Sequence, residues 1–337
     1  MLKGAASNLL NEIWYGKHPA RLLLAPFGWL YRGVAWGRRA AYQSGLLNVY
    51  RAPVPVIVVG NLTVGGAGKT PLVIWLVRQL QAYGLKPGIV ARGYRGRARS
   101  WPQQVRADSD PLGVGDEAVV LARRTGVPVA VGPRRAADIA ALLKHADINI
   151  IVCDDGLQHY ALGRDIEIAV IDGVRRFGNG ACLPAGPMRE AGQRLQQVDL
   201  IVTNGLAARG EFPMKYLADA LHRVDRRGKA VAIRQFPDKN VHAVAGIGNP
   251  SAFFATLKRN GLRITPHVFP DHHVFSAADL AFADRQPVIM TEKDAVKCEH
   301  FVDPRLWYLP ITAELPEVFE RRFRTLLKQV LHGQKTA

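Results

Sequence analysis

The length, composition and charge of the chain limit what kind of protein it is. Its 337 residues, 48% apolar and 22% charged, are typical of a folded protein with room for two domains, which excludes a disordered chain. Its three cysteines lack metal-ligand spacing, so we interpret them as packing residues in a reducing compartment. The net charge of +17 indicates an anionic partner but does not distinguish nucleic acid, lipid and phosphorylated substrate.

Residues 1 to about 50 combine basic and aromatic side chains with a single acid, Glu12. The longest uncharged run, residues 22–31, is far shorter than the roughly 20 residues of a membrane-spanning helix, and no signal-peptide cleavage site follows it. The composition is typical of a helix pair at a membrane interface, where apolar side chains enter the headgroup region and cations meet anionic lipid. A helical hairpin packed on the core, with solvated arginines, explains the pattern equally well.

Residues 55–71 have the strand, loop and helix order of a phosphate-binding P-loop. A β-branched run is followed by a glycine-rich turn, and Lys69 begins a helical stretch. We expect Lys69 to reach the β- and γ-phosphates of ATP and the Thr70 hydroxyl to bind Mg²⁺. Thr63 stands where the usual motif has a glycine, so the motif is a variant. The predicted nucleotide-binding residues are Gly65, Gly66, Ala67, Gly68, Lys69 and Thr70.

From Val54 onward, apolar β-branched runs alternate with helical stretches. Both faces of such strands must be covered, so we predict an α/β fold with a P-loop NTPase-type, doubly wound, mainly parallel sheet. A second, smaller α/β unit follows, with helices near residues 251–260 and 276–283, and a final amphipathic helix spans about residues 314–331. The predicted divisions are an N-terminal segment 1–50, a P-loop core 51–235, a smaller domain 236–310 and a C-terminal helix 311–337.

Two acidic motifs follow predicted strands of the core. Asp154 and Asp155 come directly after an apolar strand, where carboxylates face the ligand crevice and can hold Mg²⁺, although a solvated turn is the alternative. Asp116 begins a helix one βα unit after the P-loop. Local sequence favours a helix cap there, but a kinase needs a carboxylate to orient or deprotonate its acceptor hydroxyl.

Three further segments carry candidate residues. Arg92 begins an arginine- and glycine-rich stretch that either binds phosphate or forms a solvated loop. The long loop of residues 177–190 ends in Arg189, a candidate phosphate ligand, and Glu190, a candidate acceptor for sugar hydroxyls. In the smaller unit, Asp271 precedes two histidines that point to opposite sides, so a single imidazole partnering an aspartate is more plausible than a shared metal.

The segment Thr291 to Lys297 follows a strand and has capping-box spacing from Thr291 to Asp294. This spacing favours a structural role for the segment over a catalytic one.

Taken together, these motifs resemble the tetraacyldisaccharide 4′-kinase (lipid A 4′-kinase) family across nearly the whole chain. The variant P-loop is part of that family's pattern. The segments that carry the resemblance are Gly-Asn-Leu-Thr-Val-Gly-Gly-Ala-Gly-Lys-Thr-Pro at 60–71, Arg-Gly-Tyr at 92–94, Gly-Asp-Glu at 115–117, Asp-Asp-Gly-Leu-Gln-His at 154–159, Phe-Gly-Asn-Gly at 177–180, Leu-Pro-Ala-Gly-Pro-Met-Arg-Glu at 183–190, Pro-Asp-His-His at 270–273 and Thr-Glu-Lys-Asp-Ala-Val-Lys at 291–297.

The resemblance implies ATP-dependent phosphorylation of the 4′-hydroxyl of a tetraacylated glucosamine disaccharide 1-phosphate, a late step of lipid A biosynthesis. It implies peripheral attachment at the cytoplasmic face of the Gram-negative inner membrane. By motif, Asp116 matches the catalytic base and His272 the histidine that pairs with it. Asp154 and Asp155 match acids near Mg²⁺, while Arg189 and Glu190 match further active-site residues.

Two alternatives to a lipid kinase remain in view. A partner-switch P-loop ATPase acting on a protein or nucleic acid would carry a lysine where this chain has Val64. A nucleic-acid-binding protein would fit the charge, but no recognised nucleic-acid-binding motif is present, so we expect no nucleic-acid partner.

Overall fold

The computed structural model describes residues 2–225 and 229–333. Expectations for Met1, for residues 226–228 of the predicted core and for residues 334–337 of the predicted C-terminal helix therefore lie outside the described residues. The helices are α1 Leu2–Tyr15, α2 Ala20–Gln43, α3 Lys69–Ala82, α4 Pro111–Val114, α5 Asp116–Thr125, α6 Arg135–His145, α7 Pro250–Arg259, α8 Glu292–Ala295 and α9 Glu317–Leu331. The strands are β1 Val56–Gly60, β2 Pro87–Ala91, β3 Gln103–Val105, β4 Val129–Val131, β5 Ile150–Asp154, β6 Ile166–Asp172, β7 Leu200–Asn204, β8 Phe212–Leu217, β9 Ala220–Arg223, β10 Val231–Ala232, β11 Asn240–Ala245, β12 Arg263–Val268, β13 Val288–Thr291, β14 Leu306–Leu309 and β15 Thr312–Glu314.

The larger sheet has nine strands in the order β15-β8-β7-β6-β1-β5-β2-β4-β3. Only its two edge strands, β3 and β15, run antiparallel to their neighbours. β1 lies at the centre between β5 and β6, and every residue of these three strands is buried. Because the strands are parallel, the loops after β1, β2 and β5 meet at one edge of the sheet, where ligands bind in such folds.

The smaller sheet has six strands in the order β10-β9-β14-β13-β11-β12. The four strands from β14 to β12 are parallel, and β9 and β10 extend the sheet in antiparallel fashion. The chain returns to the larger sheet through β15, and α9 packs its Phe319 and Phe323 rings beside Trp75 of α3. The predicted mainly parallel sheet with a second, smaller α/β unit is thus confirmed.

The predicted helix near residues 276–283 is wrong. Ser276 and Asp279 form a capping box, but the helical stretch is a single 3₁₀ turn, Ala277–Leu280. The chain turns away because the Phe282 ring stacks on the imidazoles of His242 and His267, with ring centroids 4.0 and 4.3 Å apart. Residue 314, expected in the final helix, instead ends strand β15.

The N-terminal segment forms two helices, as the sequence predicted. The end of α1 is attached to the loop of residues 177–190, because the Asn179 backbone N–H donates to the Trp14 carbonyl at 2.8 Å. Within α2, Gly28 is the buried residue, packed near Ala185, whereas Leu23 and Trp36 are 78% and 73% exposed. Across the described residues, none of the helices combines the length and apolar character needed to cross a bilayer.

Candidate active site

The loop after β1 has the backbone of a phosphate-binding loop. Gly65 and Gly68 have φ angles of +111° and +97°, which a side chain would strain. Gly68 is the N-cap of α3, so Lys69 and Thr70 form the first turn of a helix whose N-terminus attracts anions. The predicted nucleotide-binding residues thus surround one helix terminus.

Asn61, which sequence reasoning passed over, braces this loop from inside. Its side chain is fully buried, and its amide nitrogen donates to the Thr63 carbonyl at 2.8 Å and the Gly65 carbonyl at 3.3 Å. Its amide oxygen accepts from Lys69 Nζ at 3.1 Å. One residue therefore holds both the loop backbone and its lysine, and its place within the Gly-Asn-Leu-Thr motif was the available signal.

Lys69 also faces Asp155, which joins the loop to a second cation. Lys69 Nζ lies 3.5 Å from the Asp155 carboxylate, and Arg189 Nη1 donates to both carboxylate oxygens at 3.0 and 3.1 Å. Burial opposes ionisation of Asp155, but the ammonium and the guanidinium outweigh it, so its pKa lies below the usual value. Asp155 is thus an ionised carboxylate already paired with two cations.

Asp154, the adjacent acid, differs from Asp155. Its side chain is buried, and within the described residues its Oδ1 has no hydrogen-bond partner. Burial, followed by the nearby Glu117 carboxylate, raises the pKa of Asp154 to about 7. A buried carboxylate oxygen without a partner is what a hard cation would satisfy.

Mg²⁺ fits this donor set without further protein ligands. The described residues contain no group of three or more His, Cys, Asp or Glu side chains placed to hold a metal. Phosphotransfer enzymes, however, usually bind Mg²⁺ through one or two carboxylates together with substrate phosphates and water. The carboxylate of Asp154, with its partnerless Oδ1, meets that requirement.

The segment Pro187 to Glu190 lies along the P-loop. The Val64 N–H donates to the Pro187 carbonyl at 2.8 Å, and the Arg189 N–H donates to the Leu62 carbonyl at 2.6 Å. These backbone bonds explain how a loop distant in sequence delivers its side chains to the nucleotide site.

Glu190 is held by two residues of the segment after β5. Gln158 donates one amide hydrogen bond to Glu190 at 3.0 Å and another to the Asn61 carbonyl at 3.1 Å. The Tyr160 hydroxyl donates to the other carboxylate oxygen of Glu190. Glu190 is buried, so its carboxylate is fixed beside the P-loop rather than free in solvent.

Asp116 of the larger unit and His272 of the smaller unit contact each other, although 156 residues separate them. His272 Nδ1 lies 3.1 and 2.9 Å from the two Asp116 oxygens, and both side chains are buried. Burial opposes ionisation of Asp116, but the His272 hydrogen bond and the Lys293 and Lys297 charges outweigh it, so its pKa is lowered. His273 instead contacts Asp279 at 3.2 Å.

Asp116 is not a helix cap in the structure. The N-cap of α5 is Gly115, and Asp116 is the first helical residue, with Oδ1 accepting from the Glu117 N–H at 2.8 Å. His272 has a φ of +61°, unusual for a residue other than glycine. Such a backbone conformation is costly and concentrates at functional sites.

A narrow cleft connects the two groups of residues. It is lined by residues at the ends of β2 and β5 and at the start of α5, among them Arg92, Glu117, Asp154 and Asp155. Arg92 is exposed at its edge. Lys69 and Arg189 adjoin this cleft through their ion pairs with Asp155, and Asp116, which is bound to His272, directly precedes Glu117.

The comparisons with known proteins all match the same family. A family model described as tetraacyldisaccharide-1-P 4′-kinase matches residues 20–330. Proteins named tetraacyldisaccharide 4′-kinase from Nitrosococcus oceani and Pseudomonas aeruginosa are 54% and 45% identical, each over 96% of this chain and over 95% and 98% of their own lengths. A crystal structure of LpxK from Aquifex aeolicus in complex with ATP has a TM-score of 0.78 and 25% identity, covering 92% of this chain and 99% of that one.

Proposed function

The chain belongs to the tetraacyldisaccharide 4′-kinase family, and from that premise we propose how its residues transfer the γ-phosphate of ATP to the 4′-hydroxyl of a tetraacylated disaccharide 1-phosphate. The relatives reported above carry the kinase name, which favours this activity over a P-loop ATPase acting on a protein or nucleic acid.

The observation that carries the proposal is that a P-loop lysine and a buried carboxylate adjoin one cleft, Lys69 through its ion pair with Asp155 and Asp116 through the adjacent Glu117. Lys69, at the start of α3, provides a cation for the β- and γ-phosphates, while Asp116, at the start of α5, provides an ionised oxygen for the acceptor hydroxyl. Phosphoryl transfer needs mainly alignment and charge neutralisation, which these two helix termini supply.

We assign the proton of the acceptor hydroxyl to Asp116. As the hydroxyl oxygen bonds to the γ-phosphorus, its proton passes to the Asp116 carboxylate, and the bond from the γ-phosphorus to the bridging oxygen breaks to release ADP. His272 holds Asp116 in orientation through its two contacts. Because Asp116 lies in the larger α/β unit and His272 in the smaller one, the base is complete only when both units are in contact.

Asp154 and Thr70 are the residues that would hold Mg²⁺, supported by the partnerless Oδ1 of Asp154. When bound there, Mg²⁺ would neutralise charge on the β- and γ-phosphate oxygens. Asp155 has a different task in this proposal, because it is already paired with Lys69 and Arg189 and holds both cations toward the phosphates.

For the lipid substrate we propose that Arg92 and Arg189 contact phosphate and that Glu190 accepts from sugar hydroxyls. Arg92 is exposed at the cleft, and Glu190 is fixed beside the P-loop by Gln158 and Tyr160.

β9 already pairs in the smaller sheet, so we place the limit between the core and the smaller domain near residue 218 rather than at residue 235.

We further propose that α2 attaches the enzyme to an anionic membrane surface on its cytoplasmic side, with no nucleic-acid partner. Large apolar side chains of α2 are exposed beside basic ones, a composition suited to the headgroup boundary. The exposed apolar residues are Leu22, Leu23, Phe27, Trp29, Leu30, Val34 and Trp36, and the basic residues are Arg21, Arg32, Arg38 and Arg39.

Vesicle sedimentation tests the membrane proposal. The double variant Leu22→Ser with Leu23→Ser should bind phosphatidylglycerol-containing vesicles at least about tenfold more weakly than wild type, because two exposed apolar side chains are lost. Val302→Ser is the matched control, since Val302 is 98% exposed in the smaller unit. Equal loss in both proteins, or salt-sensitive binding to duplex DNA instead of vesicles, would contradict the proposal.

The activity is tested by transfer of labelled γ-phosphate from Mg-ATP to a detergent-dispersed tetraacyldisaccharide 1-phosphate. A labelled lipid whose phosphate is at the 4′ position supports the proposal. ATP hydrolysis without lipid product, stimulated by protein or nucleic acid, would contradict it.

A further inference from the structure

The segment Thr291 to Lys297 has a second role beside the structural one that its spacing predicts. The Thr291 hydroxyl caps α8 by accepting from the Asp294 N–H, as expected. The two lysines of the segment, however, both face the Asp116 and His272 side chains. Lys293 Nζ lies 3.3 Å from His272 Nε2, and Lys297 Nζ lies 3.8 Å from Asp116 Oδ2.

The contact between Lys293 and His272 restricts where the imidazole proton can be. An ammonium group donates hydrogen bonds and accepts none, so His272 Nε2 must present its lone pair to Lys293. The imidazole proton then lies on Nδ1, where it is donated to Asp116. Lys293 therefore favours a neutral imidazole beside an ionised carboxylate.

We propose that Lys293 is a positioning residue that keeps His272 neutral, with its proton on Nδ1, so that Asp116 retains the negative charge it needs as the base. The inference rests on the proposed function of Asp116. If His272 took a second proton, the imidazolium would neutralise the Asp116 charge and weaken its attraction for the hydroxyl proton.

The groups around His272 explain why a cation is needed at this place. Asp271 Oδ2 lies 3.7 Å from His272 Nε2 and would favour a proton there. Lys293 opposes this by binding Asp271 Oδ1 at 3.2 Å and Glu117 at 3.1 Å. Burial opposes the charge of Lys293, but the carboxylates of Glu117, Asp116 and Asp271 outweigh it and raise its pKa, so it remains protonated.

The remaining neighbours do not replace Lys293. The Tyr94 ring lies 5.2 Å from the His272 ring, and the adjacent Arg95 donates to the Asp271 carbonyl. Lys297 approaches Asp116 rather than the imidazole and is bound to Asp294 at 2.7 Å.

The test measures kcat and KM for labelled phosphate transfer between pH 5.5 and 9 in wild type, Lys293→Met, Lys293→Arg and Arg124→Met. Arg124 of α5 is the matched control. Its guanidinium donates to the Glu292 carboxylate of α8 at 2.8 Å, so it links the same two units but does not contact His272. Arg124→Met removes a comparable ion pair between the two units.

We expect Lys293→Met to move the acid limb of the kcat profile upward by about one pH unit, lowering kcat about tenfold near neutrality and recovering toward wild type at pH 9. KM for ATP should change little, Lys293→Arg should restore the wild-type limb, and Arg124→Met should leave it in place. A loss of kcat by the same factor at every pH, or the same shift in Arg124→Met, would overturn the proposal.

A measurement on the unmodified enzyme covers the case in which Lys293→Met does not fold. Long-range ¹H–¹⁵N spectra of the histidine rings at pH 8, with His272 assigned from a His272→Gln sample, should show a neutral ring protonated on Nδ1. A proton on Nε2 would refute the inference. This readout is independent of turnover, so it separates failure of the inference from absence of lipid product, which would refute the proposed function.

Discussion

Replacing Asn61 with aspartate removes the amide donor that holds the P-loop, while the side chain keeps nearly the same shape. The two hydrogen bonds from Nδ2 to the Thr63 and Gly65 carbonyls are lost, and a carboxylate oxygen then faces both. The buried Thr63 carbonyl left without a donor costs about 1–3 kcal/mol and the part-buried Gly65 carbonyl about 1 kcal/mol, while a charge-assisted bond to Lys69 returns about 1.5–3 kcal/mol. We expect a net cost of about 1 kcal/mol, which corresponds to roughly 5-fold weaker ATP binding.

Titration calorimetry with Mg-ATP measures this effect, with thermal unfolding as a check on the fold. Asn149→Asp is the matched control, because Asn149 uses only its oxygen, accepting from the Lys86 N–H, and aspartate keeps that acceptor. Its Kd should stay at the wild-type value. A wild-type Kd for Asn61→Asp would refute the reasoning that the buried amide holds the loop.

Two further substitutions test other parts of the structure. Gly68→Ala should weaken ATP binding about tenfold, because the residue has a φ of +97° and its Cβ would lie 2.0 Å from the Tyr216 hydroxyl. Adding Tyr216→Phe should recover part of that loss in the same binding assay, and full recovery would mean that backbone strain is absent. In the second test, hydrogen bonds from Arg176 lower the pKa of Glu211 to about 2. The ionised Glu211 therefore stabilises the folded protein fully above its usual pKa near 4.5, and this stabilisation is lost as the pH falls through 2. Glu211→Gln should therefore lower the free energy of unfolding at pH 7. It should also make the free energy of unfolding decrease less between pH 5 and pH 3 than in wild type. Denaturant titrations at each pH measure this, and the same decrease in both proteins would contradict the reasoning.

The central strands were predictable because their apolar β-branched runs are buried on both faces. Strands at the margins were not, since β8 contains Pro213 and Lys215 and carries no continuous apolar run. The expected helix near residue 280 failed for a tertiary reason, because Phe282 stacks on two imidazoles that come from other strands. Local pattern contains no information about such partners.

The site was predictable as a set of motifs but not as a set of contacts. Motif resemblance indicated a pairing of Asp116 with His272, but the roles of Asn61 and Gln158 depend on which carbonyl or carboxylate each amide reaches. The capping interpretation of the segment at Thr291 was correct for its hydroxyl but incomplete, because only the packing of the two units shows that Lys293 reaches the imidazole.

Single-turnover transfer of labelled γ-phosphate tests the central claim most directly. With Mg-ATP and lipid acceptor saturating, Asp116→Asn should slow the transfer step by about 10²–10⁴-fold and leave the Kd for ATP unchanged, because it removes the proton acceptor and not the phosphate site. Asp108→Asn, an exposed acid of the preceding loop, is the control and should transfer at the wild-type rate. Transfer by Asp116→Asn at the wild-type rate would contradict the account, because the base would then lie elsewhere.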